Sequence, residues 1–138
     1  MIEFCFLLPW YIFLFVGTLD FGFYSYSLIA TTDAARVAAS YCSASATTCS
    51  TGAEQSAVCT NYVVPHLTNL PNIGTAVTTC SASPLTLTIN YPSAASCPDR
   101  NTCATATVAY QTPKLIPIPG VLPGQLTITK AVTMRLCS

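Results

Sequence analysis

A carboxylate, Glu3, stands at the mouth of an apolar run, Phe4 to Leu19, and no basic residue occurs before Arg36. Few chains can use that arrangement. A secretory signal peptide opens with Lys or Arg and closes at a small-residue cleavage site. A lasting membrane anchor does not place an unpaired charge at the edge of the hydrocarbon, where it is expensive. A hydrophobic helix led by a glutamate and continuous with a polar domain makes sense if the helix leaves the membrane. It then packs against copies of itself, and the carboxylate meets a partner charge.

Residues 3 to 41 read as one helix, about 58 Å long at 1.5 Å per residue. Pro9 lies inside it and removes a backbone donor, which predicts a kink or local unwinding there. The apolar run before Asp20 holds about 16 residues, short of the roughly 20 needed to span a bilayer upright. Extension through Asp20 to Ala30 restores the length, with Phe21, Phe23, Tyr24 and Tyr26 placed for an interface. Ala30, Ala34 and Ala38 then recur every four residues, with Ala35 and Ala39 beside them. Small residues at that spacing let another backbone or a sheet approach closely. Alanine is equally a plain helix former.

The other residues are rich in Thr, Ser and Ala. The whole chain of 138 residues carries five basic and five acidic side chains, so no basic surface exists for nucleic acid or anionic lipid. The length suits one small domain plus a long helix, divided here as 1–41 and 42–138, with 30–41 packed on the head. A surface built on hydroxyls suits an exposed structure and O-glycosylation, while no Asn-x-Ser/Thr sequon is present.

None of the eight cysteines forms a Cys-x-x-Cys pair, and His66 is the sole histidine. That argues against zinc and c-type haem, and no cofactor is expected. Scattered cysteines in a small, charge-poor chain read as disulfides formed outside the cytosol. Cys5, in the apolar helix, is expected as a free, buried thiol. Seven remain: Cys42, Cys49, Cys59, Cys80, Cys97, Cys103 and Cys137. An odd number leaves one unpaired or bridged to a neighbouring subunit. Pairing cannot be assigned from the sequence except for Cys97 with Cys103, which the turn material Pro98-Asp99-Arg100-Asn101 brings together.

Residues 42 to 50 read as a loop. Thr51 and Glu54 have capping-box spacing, predicting a short helix to about Val63 that ends before Pro65. Val77 to Ser81 is a weak strand signal. Leu85 to Tyr91, Ala104 to Gln111 and Leu126 to Leu136 alternate apolar against polar, with Lys130 the exception. The proline-rich segment 113–123 is a loop or edge. The sum is an α+β fold, one long hydrophobic helix on an antiparallel sheet of three or four strands, stapled by disulfides.

The stretches Glu3-Phe4-Cys5-Phe6-Leu7-Leu8-Pro9, Phe15-Val16-Gly17-Thr18-Leu19-Asp20-Phe21-Gly22 and Asp33-Ala34-Ala35-Arg36 resemble the TadE/TadG-like pseudopilins. These form the tight-adherence branch of the type IV pilus superfamily. The C-terminal third is also similar: Val108-Ala109-Tyr110, the proline-rich loop, then a strand ending in Met134-Arg135. Residues 42 to 100 find no counterpart. Two departures stand out: Val37-Ala38-Ala39-Ser40 replaces the family's usual E-G-A-R, and eight cysteines are many for the group.

The resemblance implies a pilin-like fold and a structural subunit that polymerises through its N-terminal helix into an extracellular filament of identical copies. Before assembly the chain would sit in the inner membrane. The alternative is a minor pseudopilin or an anchored adhesin head, facing a surface or host target. In pilins the early glutamate pairs with the N-terminal amine of a neighbouring subunit, a role the resemblance carries to Glu3. Its position is third here and fifth in mature pilins, so the sequence either lacks residues at its start or begins at the processed end. The assembly set is Glu3, Phe4, Phe6, Pro9, Phe13, Phe15, Asp20 and Arg36. Asp20 caps the stem–head boundary, pairs with Arg36 of another subunit, or is simply interfacial. Asp33 and Arg36 can also pair within the helix. The aromatic series including Trp10 and Tyr11 reads as helix packing rather than electron transfer. Asp99-Arg100-Asn101 fits a calcium or ligand loop as well as a turn. His66 has no partner at a catalytic spacing, so no nucleophile, base and stabiliser set can be assembled and no enzyme is expected.

Overall fold

A computed structural model describes residues 2–45, 47–73, 77–97, 102–113 and 125–137. Its backbone is a single long helix, α1 (Ile2–Cys42), with a small helical layer and a four-stranded sheet gathered around its C-terminal half. This is the α+β arrangement that the apolar run and the alternating segments predict. The local unwinding expected at Pro9 does not occur, and α1 is continuous through it. Proline removes one bond of the ladder there while the neighbouring bonds persist.

The capping box forms as read. Glu54 donates its backbone N–H to the Thr51 hydroxyl at 3.3 Å, and Thr51 donates its own to the Glu54 carboxylate at 3.0 Å. The Thr51 donors hold the Glu54 carboxyl below its ordinary pKa. From this cap α2 (Gly52–Val58) begins, but the helix does not stop before Pro65. It passes through a π-helical turn, Cys59–Val63, into α3 (Val64–Leu67), with Val64 N–H reaching back five residues to the Cys59 carbonyl. The widened turn makes room for the proline ring, which in an α-helix would meet the carbonyl four residues earlier.

The sheet is an antiparallel meander in the order β1-β2-β3-β4. Its strands are β1 (Ser81–Ala82), β2 (Leu85–Asn90), β3 (Cys103–Gln111) and β4 (Thr127–Arg135). The weak signal at Val77 to Ser81 becomes only the two-residue β1, paired Ser81 to Thr86 and Ala82 to Leu85. Alternation settles the register of the rest. Ala104, Ala106, Val108 and Tyr110 of β3 face inward and are buried, beside Leu85 and Ile89 of β2 and Ile128 of β4. Slipping by one residue would turn the threonines into the core.

On the inward face lies the lower half of α1. Ala30, Ala34, Ala35, Ala38 and Ala39 are buried, so the helix backbone approaches β3 and β4 closely. Ser27 and Thr31 are buried too, each donating its hydroxyl to its own helix, Ser27 to the Phe23 carbonyl at 2.9 Å and Thr31 to the Ser27 carbonyl at 2.7 Å. Those bonds let polar side chains enter the core cheaply. Val58, Val63, Leu67, Leu70 and Ile73 close the other side. Burial pushes the Tyr110 phenol up to about 12. The Asn72 backbone lies close enough to oppose this slightly, without hydrogen-bond geometry to the Tyr110 hydroxyl.

Three disulfides tie the head: Cys42–Cys49, Cys59–Cys80 and Cys97–Cys103, with Cα atoms 5.5, 5.8 and 6.0 Å apart. The first closes the loop after α1. Tyr91 clamps the same loop by accepting the Cys49 N–H at 3.2 Å and donating to the Cys42 carbonyl at 3.3 Å. Cys137 is unpaired and exposed. Its backbone N–H meets the Ser43 carbonyl at 2.9 Å, which joins the tail after β4 to the end of α1. The turn read at 98–101, with its candidate ligand loop, and the proline-rich segment from 114 to 124 lie outside the described residues.

Candidate assembly surface on the N-terminal helix

Above the head, α1 continues alone. Its residues from Glu3 to about Tyr26 have no sheet beneath them, and the most apolar stretch is wholly unburied. Phe4, Phe6, Trp10, Phe13, Phe15 and Phe21 are each 45 to 85% exposed. Side chains of that size normally supply core burial, and here they face outward all round the helix. The helix is long and apolar enough to cross a membrane. Glu3 lies in its first turn, where the backbone N–H groups favour a carboxylate.

Along this stem the residues are not uniform. Trp10 and Phe13 stack with ring centroids 6.2 Å apart. Beside Phe13, a groove of about 320 Å³ is lined by Phe13, Leu14, Gly17, Thr18, Phe21 and Gly22. Gly17 and Gly22 have nothing within 4 Å of where a Cβ would stand, so their lack of side chain leaves space that this chain does not fill. Thr18 keeps its hydroxyl out of the way by donating to the Phe15 carbonyl at 2.8 Å. Sequence reasoning passed over this groove. Its signal was present: two glycines in an apolar helix, where each costs helix stability relative to alanine.

The charged members of the assembly set are kept apart. Asp20 is half-buried, and its Oδ2 is shielded from solvent with no partner among the described residues. A carboxylate oxygen in that state is unfavourable until a donor reaches it. Arg36 lies 16 residues further along, roughly 24 Å by helical rise, so the two cannot meet within one chain. Arg36 instead stands 4.0 Å from Asp33, both exposed, a contact of little energetic weight. Pro9 is exposed within the stem. Cys5 is unpaired, but it is exposed rather than buried, because the helix around it is clear of the head. His66 is exposed on α3.

The surface therefore consists of an aromatic helix without a cover, a carboxylate at its tip, a glycine groove midway and an unpartnered carboxylate oxygen near its base. Nothing in this set is arranged for bond chemistry. Its physical requirement is contact. Residues 1–40 match the family of TadE-like proteins. No curated protein and no solved structure matches the chain. The N-terminal helix is a TadE-like one, the mark of the pilus-associated, pseudopilin-like family that the sequence resembles.

Proposed function

We propose that this chain is a structural subunit that polymerises through α1 into an extracellular, type IV-like filament of identical copies, after residing in the inner membrane. The observation that carries the reading is the division of one helix into two halves. The lower half buries one face in its own head, and the upper half exposes nine large aromatic side chains between Phe4 and Tyr26 that the head does not cover. Lipid satisfies those side chains before assembly, and neighbouring copies of α1 satisfy them afterwards. Apolar burial contributes roughly 25 cal/mol per Å², so a bundle of such helices is strongly held.

Charges set the register in this proposal. Glu3 takes the N-terminal amine of a neighbour. Asp20 Oδ2 takes Arg36 of a copy displaced by roughly 24 Å along the axis, releasing that arginine from its loose contact with Asp33. Phe4, Phe6, Phe13 and Phe15 pack between helices, and Pro9 lies exposed among them in the same contact zone.

The test is Glu3→Ala. The head's fold and its disulfides should be unchanged, because Glu3 is remote from both. Removing one member of a buried ion pair costs about 3–5 kcal/mol, repeated at each subunit. Glu3→Ala chains should therefore accumulate in the membrane as oxidised monomer, with Glu3→Asp intermediate. Filaments of Glu3→Ala at normal yield and heat resistance would sink the role assigned to Glu3.

A second reading is compatible with the match of residues 1–40 to TadE-like proteins: the chain primes or tips a filament built from another subunit, or stays anchored as an adhesin head. Quantifying the chain in sheared surface filaments separates the two. A bulk subunit dominates that fraction, and a minor one is present at trace stoichiometry.

A further inference from the structure

Arg36 is the one basic side chain on α1, and it is 65% exposed, outside the alanine face that meets the sheet. Heptad spacing extends its row along the outer side of the helix. Seven residues before it is Ile29, 61% exposed. Seven before that is Gly22, where nothing lies within 4 Å of the place a Cβ would take. Asp20 ends a second row of the same spacing. Phe13, 45% exposed, precedes it by seven residues, and Phe6, 85% exposed, by fourteen. Ser27, the next position of that row, is already buried in the head. The two rows are 16 residues out of step and about 160° apart around the helix, so they occupy opposite sides. Residues seven apart drift by only about 20° in a straight helix, and slight left-handed coiling holds them in one seam.

Each row supplies what the other lacks. Asp20 Oδ2 is shielded and has no donor among the described residues, whereas Arg36 holds only its loose contact with Asp33. A guanidinium donates to a carboxylate in charge-assisted bonds, and no other basic residue on α1 offers a competing offset. With Asp20 of one copy against Arg36 of another and the helices parallel, the rest of the register is determined. Phe13 falls opposite Ile29, and Phe6 falls opposite Gly22. Gly22 borders the groove of about 320 Å³ that Leu14, Thr18 and Phe21 also line. A cavity of about 150 Å³ already takes a benzene ring, so a phenyl side chain has room there. Charge thus meets counter-charge, apolar meets apolar, and a protruding ring meets an open gap. Because the rows lie on opposite sides, each copy offers one row to the neighbour above and the other to the neighbour below, a contact that repeats without closing.

We infer that the row Gly22, Ile29 and Arg36 is the docking surface for the row Phe6, Phe13 and Asp20 of a second copy, displaced by 16 residues, with Phe6 seated in the glycine groove. The inference rests on the polymerisation proposed above and gives it a register. The test uses full chains with Cys5→Ser and Cys137→Ser, carrying either Phe6→Cys with Gly22→Cys or Phe13→Cys with Ile29→Cys. They are oxidised in membranes and in sheared surface material. Within one chain either pair is roughly 24 Å apart, so only bridges between copies can form. Each chain carries both halves of a pair, so non-reducing electrophoresis should show a ladder beyond the dimer for at least one pair. A control, Phe6→Cys with Gly17→Cys, is about 7.5 Å out of step and should give at least tenfold less. No ladder from either pair, as when lipid fills the groove, overturns the inference. A control ladder as strong as theirs overturns it too. Filaments without a ladder remove this register and leave polymerisation standing, whereas a ladder from chains that form no filaments does the reverse.

Discussion

The two halves of α1 solve opposite problems with the same backbone. Below Ser27 the helix face is alanine, serine and threonine, chosen so that nothing separates it from β3 and β4. Above Tyr26 the helix carries phenylalanine, tryptophan and leucine, with no surface to receive them. In the lower half the fit is complete within one chain, and added volume is harmful. In the upper half the fit is missing, and removed apolarity is harmful. A helix that is hydrophobic on every side must be covered by lipid or by protein. The contrast therefore marks where the head's own packing ends and where the helix requires cover from lipid or from other protein.

The contrast breaks most visibly at Phe13, which borders both the Trp10 stack and the glycine groove. Phe13→Asp should abolish filament formation while leaving the head's disulfides and thermal transition unchanged, read by negative-stain microscopy and by calorimetry of the detergent-solubilised chain. A head destabilised by that change would mean the two halves are not separable.

Next in size is the paired replacement Cys59→Ala with Cys80→Ala. Its loop spans 21 residues against 7 for Cys42–Cys49. Chain-entropy arguments assign it about 3.3 kcal/mol, compared with about 2.4 kcal/mol for the shorter loop. Chemical unfolding should rank the two double variants in that order. Membrane insertion of the stem should respond to neither.

Ala38→Leu sharpens the comparison from the other side. Ala38 is fully buried against the sheet, so the added carbons must displace it, at about 1–3 kcal/mol. The midpoint of urea unfolding should fall accordingly. An unchanged midpoint would show that the helix is not held as closely as its alanine face implies.

Features carried by local rules were readable in the sequence. The apolar run gives the helix, period-two alternation gives β2, β3 and β4 and their inward faces, and Thr51 with Glu54 gives the cap. The π-turn was not readable, because a five-residue interval between Val58 and Val63 looks like an irregularity until the core that both enter is known. For the same reason the helix runs on to Leu67, beyond the end at about Val63 that Pro65 predicts. The contact between the Tyr41 and Tyr62 rings, whose centroids lie 4.6 Å apart, depends on two helices crossing, which no local pattern encodes. In the candidate surface, the aromatic stem and Glu3 were evident because their exposure follows from composition. The half-burial of Asp20 was not, since it depends on how neighbouring side chains fold over the helix. Burial of Cys5 follows from the sequence only if the stem is covered, and within one chain the stem is bare.

Cys42 ends α1, and Cys49 lies beyond the following loop. Consider the stem pulled away from the head along the helix axis. Load reaching Cys42 crosses the sulfur bridge directly to Cys49, so residues 43–48 lie off the path that carries force. A stretch of seven residues extends by up to about 25 Å, whereas the bridged Cα atoms stand 5.5 Å apart, so roughly 20 Å of slack is withheld. In a single-molecule pulling trace that length should appear only after reduction. With the bridge intact, the joint between rod and head behaves as a short, stiff coupling rather than an elastic tether.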